Sequence, residues 1–511
     1  MNFAQTAKNT ATMKLTENGA VAYSTTDNAL LDLFAQIGAL RPRTEAEIEN
    51  KFANAFAVDP LIATKMLFYA GAIRGGLGER RTFRICLKWL AWNHPSIVRK
   101  NLALIPHFNR WDSLFVLVGT PVETDMWILI KNQLNEDLDG ALKQRNDGKK
   151  TSISLLAKWM PTETAHKKET KILAKKAMVA LALTPRQYRK MLSALRKHIG
   201  VVESLMSAGK WDEIDYPAVP SYAMKNYRDA FSEHDMVRFA EYKESLEKGS
   251  AKINASTLYP YDLVHEYMGK LTYRYVDRAL SWCSGGTYVY ECPTDPIIEA
   301  QWKALPNYVS GENNILCMCD VSGSMDGRPM ETSIALGTYF AQRNCGAYHN
   351  LYMTFTSEPH FISLDGKETL AAAVAHVRGT DIGYSTNLMK AFQYILNHAV
   401  RHNISNEDLP KALVVISDME IDDFFRPNAN FDFLTTVKAM FAAHNLTCPK
   451  LVMWNVEARN DTFLCKSNDV VLASGQSPSV FKNLCGSLEG KTAWDFMMEV
   501  LGDEMYNCVV V

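Results

Sequence analysis

Missing from this chain of 511 residues is any run of about 18 uninterrupted apolar residues, so no membrane-crossing helix is expected. The amino-terminal stretch MNFAQTAKNTATMKLTENG is polar and lacks the apolar segment of a secretory signal. Ten cysteines are scattered, with no CxxC pair and no Cys/His cluster at zinc-ligand spacing, which argues for reduced core thiols in a cytoplasmic protein. No Gly-Lys-Ser/Thr follows the glycines at Gly75, Gly76 and Gly78, so a nucleotide-cradling loop is not expected. No G-x-S-x-G elbow supplies an acyl nucleophile. Net charge is nearly absent too, at −1, while an apolar fraction of 47% and a charged fraction of 22% are those of a globular chain. At this length, two or three cores are expected.

One stretch stands out, CMCDVSGSMDGR from Cys317 to Arg328. Ile315, Leu316, Cys317 and Met318 form an apolar run that breaks into Asp320, Ser322 and Ser324, with Gly323 between the serines. An apolar run that stops at a turn and reopens as a helix is the pattern of a buried parallel strand at its carboxyl end. Open α/β sheets bind ligands just outside such ends. Three oxygen-bearing side chains on one turn suit a hard divalent cation. The same residue types also fill ordinary turns and helix caps.

Two later segments join this turn. Thr386 and Asn387 open a periodic helix through Leu388, Phe392, Ile395 and Ala399, and a second apolar run, Leu413 to Ile416, ends in Ser417 and Asp418. The order, with Thr386 and Asp418 lying 66 and 98 residues beyond Asp320, resembles the metal-ion-dependent adhesion site of von Willebrand factor A domains. That resemblance implies Mg²⁺ (or Mn²⁺ or Ca²⁺) at Asp320, Ser322, Ser324, Thr386 and Asp418. It also implies a protein partner that offers a carboxylate to the metal. Asp326, Asp381, Glu420, Asp422 and Asp423 lie near the motif in sequence, but without a histidine or a paired-metal carboxylate set the expected use is binding, not catalysis.

The chain before Asn314 reads as helices. Leu30, Phe34 and Ile37 are at helical spacing, Asp59-Pro60 marks a helix start, and a helix from about Glu79 with Phe83, Leu87 and Leu90 inward ends at His94-Pro95. Further helical stretches are expected near 97–105, 111–118, 124–140, 152–159, 167–181, 185–197 and 199–207. Short helices without strands argue for an irregular α-solenoid, although no fixed period is present. Residues 1–26 are expected to be a flexible arm and about 250–310 a connector carrying one helix from Asp262 to Leu280. Residues 311–511 alternate strands (near 315–320, 350–356, 412–417, 451–456 and 470–473) with helices, as a doubly wound sheet does.

The segments DPLIATKMLFYAGAIRGGLGERRTF (Asp59 to Phe83), IPHFNRWDSL (Ile105 to Leu114), SLLAKWMPTE (Ser154 to Glu163) and VPSYAMKNYRDAF (Val219 to Phe231) resemble the TROVE module of the Ro autoantigen family. The resemblance is closer still to a related family of plants, bacteria and phages. It implies a HEAT-like helical ring or solenoid over about 27–310, joined to a von Willebrand A domain. It further implies binding of misfolded or small noncoding RNA.

Charge fits such a partner. Residues 1–300 carry a net +7 and 301–511 a net −8, and residues 151–210 alone hold 12 Lys+Arg against 3 Asp+Glu. Arg186, Arg189, Lys190, Arg196 and Lys197 recur at helical spacing, with Lys158, Lys167 and Lys168 just upstream. These are the candidate RNA contacts, with Trp159, Tyr188 or His198 as stacking surfaces. A solvated helix face explains the same charges. The Arg74 to Arg81 cluster is expected to be a tight turn whose arginines reach carboxylates such as Asp112. The alternative to an RNA-binding protein is an interaction or assembly module that uses the metal to grip a partner, with no RNA.

Overall fold

The computed structural model describes residues 10–147, 151–277, 286–309, 311, 313–355, 358–380, 387–421, 433–464, 470–486, 488 and 490–511. The amino-terminal half is mainly helical, as the apolar spacing requires. Thr44 closes a capping box on Glu45–Val58, and Asp59 accepts from the Ile62 amide at 2.8 Å to start Pro60–Gly71, with Pro60 in the first turn. Arg80–Asn93 buries Phe83, Leu87 and Leu90. Later helices include Glu123–Asp147, Lys168–Ala180, Pro185–Ile199 and Ser221–His234.

Two corrections concern segments between the helices. Residues 10–26, expected as a loose arm, carry a hairpin of β1 (Met13–Leu15) and β2 (Val21–Tyr23), and this hairpin is docked on the carboxyl-terminal half. Tyr23 exchanges backbone hydrogen bonds with Phe463 at 2.9 and 3.0 Å, and the Thr16 hydroxyl donates to the Ile421 carbonyl at 2.6 Å. The helix expected from Asp262 to Leu280 runs only over Pro260–Met268. The chain then turns into β3 (Thr272–Asp277), paired with β4 (Gly286–Glu291), where Tyr273 faces Tyr290 and Tyr275 faces Tyr288. Aromatic residues at alternate positions favour a strand over a helix there.

The carboxyl-terminal half is built on a six-stranded mixed sheet in the order β10-β9-β8-β5-β6-β7. Its strands are β5 (Ile315–Asp320), β6 (Leu351–Phe355), β7 (Phe361–Ser363), β8 (Ala412–Ser417), β9 (Lys450–Asn455) and β10 (Val470–Ser474). All neighbours pair in parallel except β6 and β7, an antiparallel edge that the sequence reading omits. Cys317, Cys319, Val414 and Ile416 face one buried layer, and Leu316, Met318, Leu413 and Val415 the other. Helices Arg328–Arg343, Leu370–Arg378 and Ala493–Leu501 cover the first face, and Leu388–Arg401 and Phe433–Ala442 the second. Helices on both faces explain why every residue of β5 and β8 is buried.

The first of these layers is continuous with the helical half. Phe34 packs edge-on to Phe496 at 6.3 Å and Phe108 stacks on Tyr506 at 5.7 Å. Gly38 lies so close to the turn after β10 that a Cβ there would come within 2.6 Å of the Gly475 Cα, so glycine is needed for the approach. The two halves therefore share a core.

Candidate functional sites

The chain order places β5 and β8 side by side, with the connections leaving in opposite directions. That is the switch point at which open α/β sheets leave a crevice beyond the strand ends. Asp320 ends β5 and Asp418 follows β8, and both carboxylates are buried. The Ser417 hydroxyl donates to Asp320 Oδ2 at 2.6 Å, the Ser322 amide donates to Asp320 Oδ1 at 2.9 Å, and the Ser322 and Ser324 hydroxyl oxygens are 3.2 Å apart. Burial, and then the charge of Asp418 beside it, push the Asp320 carboxyl up to about 7.

The structure thus brings together four of the five residues expected at the cation site, and Thr386 lies outside the described residues. So do Asp381, Asp422 and Asp423. Asn387 caps the helix Leu388–Arg401 by accepting from the Lys390 amide at 2.9 Å. Two buried carboxylates that repel each other, next to two hydroxyls, fit a hard oxygen-seeking cation. The site does not have the make-up of a zinc centre, and among the described residues no group of three or more His, Cys, Asp and Glu side chains could hold a metal.

One residue of this site has no counterpart in the sequence reading. Arg459, four residues past the end of β9, donates from one terminal nitrogen both to the Asp418 carboxylate and, at 2.9 Å, to the Ser324 carbonyl. Its only sequence signal is an arginine among acids, Glu457 to Asp461, in a loop that leaves the same sheet edge.

The basic block is divided by its surroundings. Arg186, Arg189, Lys190 and Lys197 are exposed on the outer face of Pro185–Ile199, opposite the buried Tyr188, Leu192 and Leu195, and Lys167 and Lys168 are exposed upstream. Arg189 is paired with Glu163. Arg196 lies on the flank of the buried face and donates to the Ala157 and Met160 carbonyls at 2.9 and 3.0 Å, which satisfies the end of the short helix Leu156–Trp159. Tyr188 is buried, with its hydroxyl on the Pro161 carbonyl at 2.8 Å, so it offers no stacking surface, contrary to expectation. His198 is tied to the Thr151 carbonyl at 2.9 Å.

A different set of cations converges in space. Helices of the amino-terminal half, with the first turn of Arg328–Arg343, enclose a cavity of about 1760 Å³. Arg41, Arg74, Arg80, Arg81, Arg110, Lys158, Lys225 and Arg328 line it, against Glu79, Glu203, Asp262 and Glu331. Trp111, Trp159, Tyr222, Tyr227, Tyr259 and Tyr261 add rings. The Arg110 guanidinium lies 3.9 Å from the centre of the Trp159 ring, and Arg328 lies 4.2 Å from that of Tyr261. Asp112 takes hydrogen bonds from Arg84 at 2.8 Å and Arg110 at 2.5 Å, and not from the Arg74 to Arg81 cluster expected to reach it. Arg80 stands beside both arginines without a hydrogen bond or ion pair among the described residues. Its pKa is lowered by burial and then by the charges of Arg110 and Arg84.

The family described as a domain of unknown function, DUF2828, matches residues 16–110 and 128–311, more than half of the chain. This chain belongs to the DUF2828 family. A second domain of unknown function, DUF7788, matches residues 314–500. An uncharacterised protein of Acanthamoeba polyphaga mimivirus is 29% identical over 539 residues, spanning 98% of this chain and 89% of the viral protein. Among solved structures, the Deinococcus radiodurans RO (RSR) protein aligns with 90% of this chain and 99% of its own, at 14% identity and a TM-score of 0.43.

Within this DUF2828 protein the cavity arginines come mainly from the segments 73–81, expected as a tight turn, and 106–111. Arg328 then links the cavity to the Asp-x-Ser-x-Ser turn, because it follows that turn by four residues and donates to Tyr261 and, at 2.7 Å, to Gln476. Among the described residues no helix is long and apolar enough to cross a membrane.

Proposed function

We propose that this protein binds single-stranded or noncoding RNA in its helical half, and that its α/β half holds a divalent cation, Mg²⁺ first among them, to take a carboxylate from a protein partner. The cavity carries the RNA reading. Its cations outnumber its anions two to one, they are mostly arginines, and they alternate with aromatic rings. Arginine matches phosphate with a planar fork of donors and stacks on bases, and aromatic faces take unpaired bases without regard to sequence. The sequence resemblance to the TROVE module supports the same partner.

Arg74, Arg80 and Lys158 are the primary contacts in this reading. Lys167, Lys168, Arg186, Arg189, Lys190 and Lys197 form a second, outer surface, while Arg196 braces a helix end. Asp320, Ser322, Ser324 and Asp418 hold the cation, with Thr386 as the further ligand that the von Willebrand A resemblance implies. The cation supplies an electrophilic centre for a partner's carboxylate. The role is binding in the cytoplasm, without catalysis.

Filter binding of single-stranded RNA at two salt concentrations tests the first half of the reading. A complex that weakens steeply with salt is expected. No complex at low salt would instead favour a purely protein-binding module. Asp320→Ala should weaken partner capture and leave RNA affinity within about twofold. If that substitution abolished RNA binding, the division of labour between the halves would be wrong.

A further inference from the structure

Arg459 occupies the place where the cation site needs positive charge. Asp320 and Asp418 are both buried, and among the described residues Arg459 is the cation in contact with either of them. The backbone beside Arg459 is fixed, after it by Gln36 Nε2, which donates to the Asn460 carbonyl at 3.3 Å, and before it by three bonds. The Val456 amide donates to the Ser417 carbonyl at 3.0 Å, the Ala458 amide to the Ala39 carbonyl at 2.9 Å, and Arg43 Nε to the Ala458 carbonyl at 2.9 Å. The side chain is held less firmly, since one terminal nitrogen makes both of its bonds to the site and its buried Nε has no partner. A second acceptor stands on its other side, with Glu17 Oε2 4.0 Å from Arg459 Nη1.

Glu17 belongs to the turn of the docked amino-terminal hairpin. Its amide donates to Glu420 at 2.7 Å and its carboxylate accepts from Asn460 at 2.7 Å, so its position does not depend on Arg459. Charge decides what this arrangement does. With Arg459 on Asp418, a divalent ion would bring the cluster to three positive charges against two carboxylates. With the guanidinium turned to Glu17, the two carboxylates face the two charges of the ion, and the arginine faces its own carboxylate.

We propose that Arg459 is a tethered counter-cation that competes with a divalent ion for Asp418, and that Glu17 on the amino-terminal hairpin receives its guanidinium when the site fills. The inference rests on the reading of Asp320, Ser322, Ser324 and Asp418 as a cation site. It makes the docked hairpin part of that site's regulation, and it makes cation affinity weaker than the ligand set alone would give.

Titration of the full-length protein with Mn²⁺, followed by electron paramagnetic resonance of the free ion, tests it alongside thermal melts without metal. Arg459→Gln should tighten Mn²⁺ about tenfold while lowering the melting temperature of the metal-free protein. Glu17→Gln, a half-exposed position that tests the idea should Arg459→Gln fail to fold, should weaken Mn²⁺ a few-fold in the wild-type background. It should have no effect when Arg459 is already Gln. Binding to Arg459→Gln but not to wild type would support the proposal most strongly. Unchanged or weaker Mn²⁺ binding by Arg459→Gln would overturn the competition while leaving the cation site standing, provided Asp320→Ala abolishes wild-type binding. No Mn²⁺ binding by wild type or Arg459→Gln would overturn both.

Discussion

Positive charge is arranged in two ways in this molecule. On the helices Lys168–Ala180 and Pro185–Ile199 the cations are dense in sequence and dispersed in space, all but Arg196 exposed on one face while leucine, alanine and methionine bury the other. Around the cavity the cations are scattered in sequence from Arg41 to Arg328 and convergent in space, with aromatic rings between them. The first arrangement needs no compensation, because water screens each charge. The second holds like charges close together around one cavity, with Arg41, Arg110, Lys158 and Lys225 half-buried and Arg74, Arg80, Arg81 and Arg328 exposed. Acceptors such as Asp112 and Glu79 offset part of that repulsion.

The cost of convergence gives the largest expected effect. Asp112→Ala removes the acceptor shared by Arg84 and Arg110 while Arg80 remains beside them, and should destabilise the protein by about 2–3 kcal/mol in urea unfolding. Glu163→Ala, which frees the exposed Arg189 of the outer block, should cost under about 1 kcal/mol. Equal losses from the two would erase the distinction between the regions. The next largest effect is on binding. Arg74→Ala with Arg80→Ala should lower single-stranded RNA affinity about tenfold or more. The pair should also reduce the slope of log affinity against log salt by roughly 1.4, the value for two lost phosphate contacts.

Most of the sheet could be read in advance, because each strand between two helical layers is a continuous apolar run that stops abruptly at a polar turn. Ile315–Asp320 and Ala412–Ser417 are found where the runs predict. The expected pairing of Asp320, Ser322, Ser324 and Asp418 is also found, because strand ends at a switch point must be neighbours. The docked hairpin was missed for a physical reason. Met13–Leu15 and Val21–Tyr23 are three-residue strands whose order comes from contacts with Glu420, Ile421 and Phe463, some 400 residues away, and no local pattern encodes such contacts. Arg459 and the cavity arginines were missed likewise. A turn arginine looks the same in sequence whether it faces solvent or a cavity.

The acidic pair gives a smaller and opposite case, in which anions converge. The Asp320 carboxyl is raised from 3.8 to about 7 in the fold, by burial first and then by Asp418. The folded state therefore holds a proton that the unfolded chain has released between those values. Stability of the metal-free protein should fall as pH rises from about 4 towards 7, and flatten above that. Melts across this range with and without Mg²⁺ check the sign. The decline should shrink in excess Mg²⁺, because the cation takes the proton's place. In Asp320→Asn it should shrink to the part left by the raised carboxyls of Glu79, Asp262 and Glu457.

The smallest effect is the one that most sharpens the contrast between the two basic regions. Replacing Lys167, Lys168, Arg186 and Lys190 together by Ala removes four exposed cations, none of which is paired with a carboxylate among the described residues. Were these residues to track a strand of RNA along the outer face, the salt slope would drop by roughly 2.8 and affinity would fall by orders of magnitude at physiological salt. If instead the strand lies in the cavity, the four act only through their long-range field, about 10 Å at 0.1 M salt. Affinity should then fall two- to threefold at low salt, with a slope change below about 1, and the difference should disappear at high salt. Folding should be unaffected, since Ala favours both helices and none of the four side chains is buried. A full drop in slope here, with Arg74→Ala and Arg80→Ala silent, would move the RNA from the cavity to the outside of the molecule.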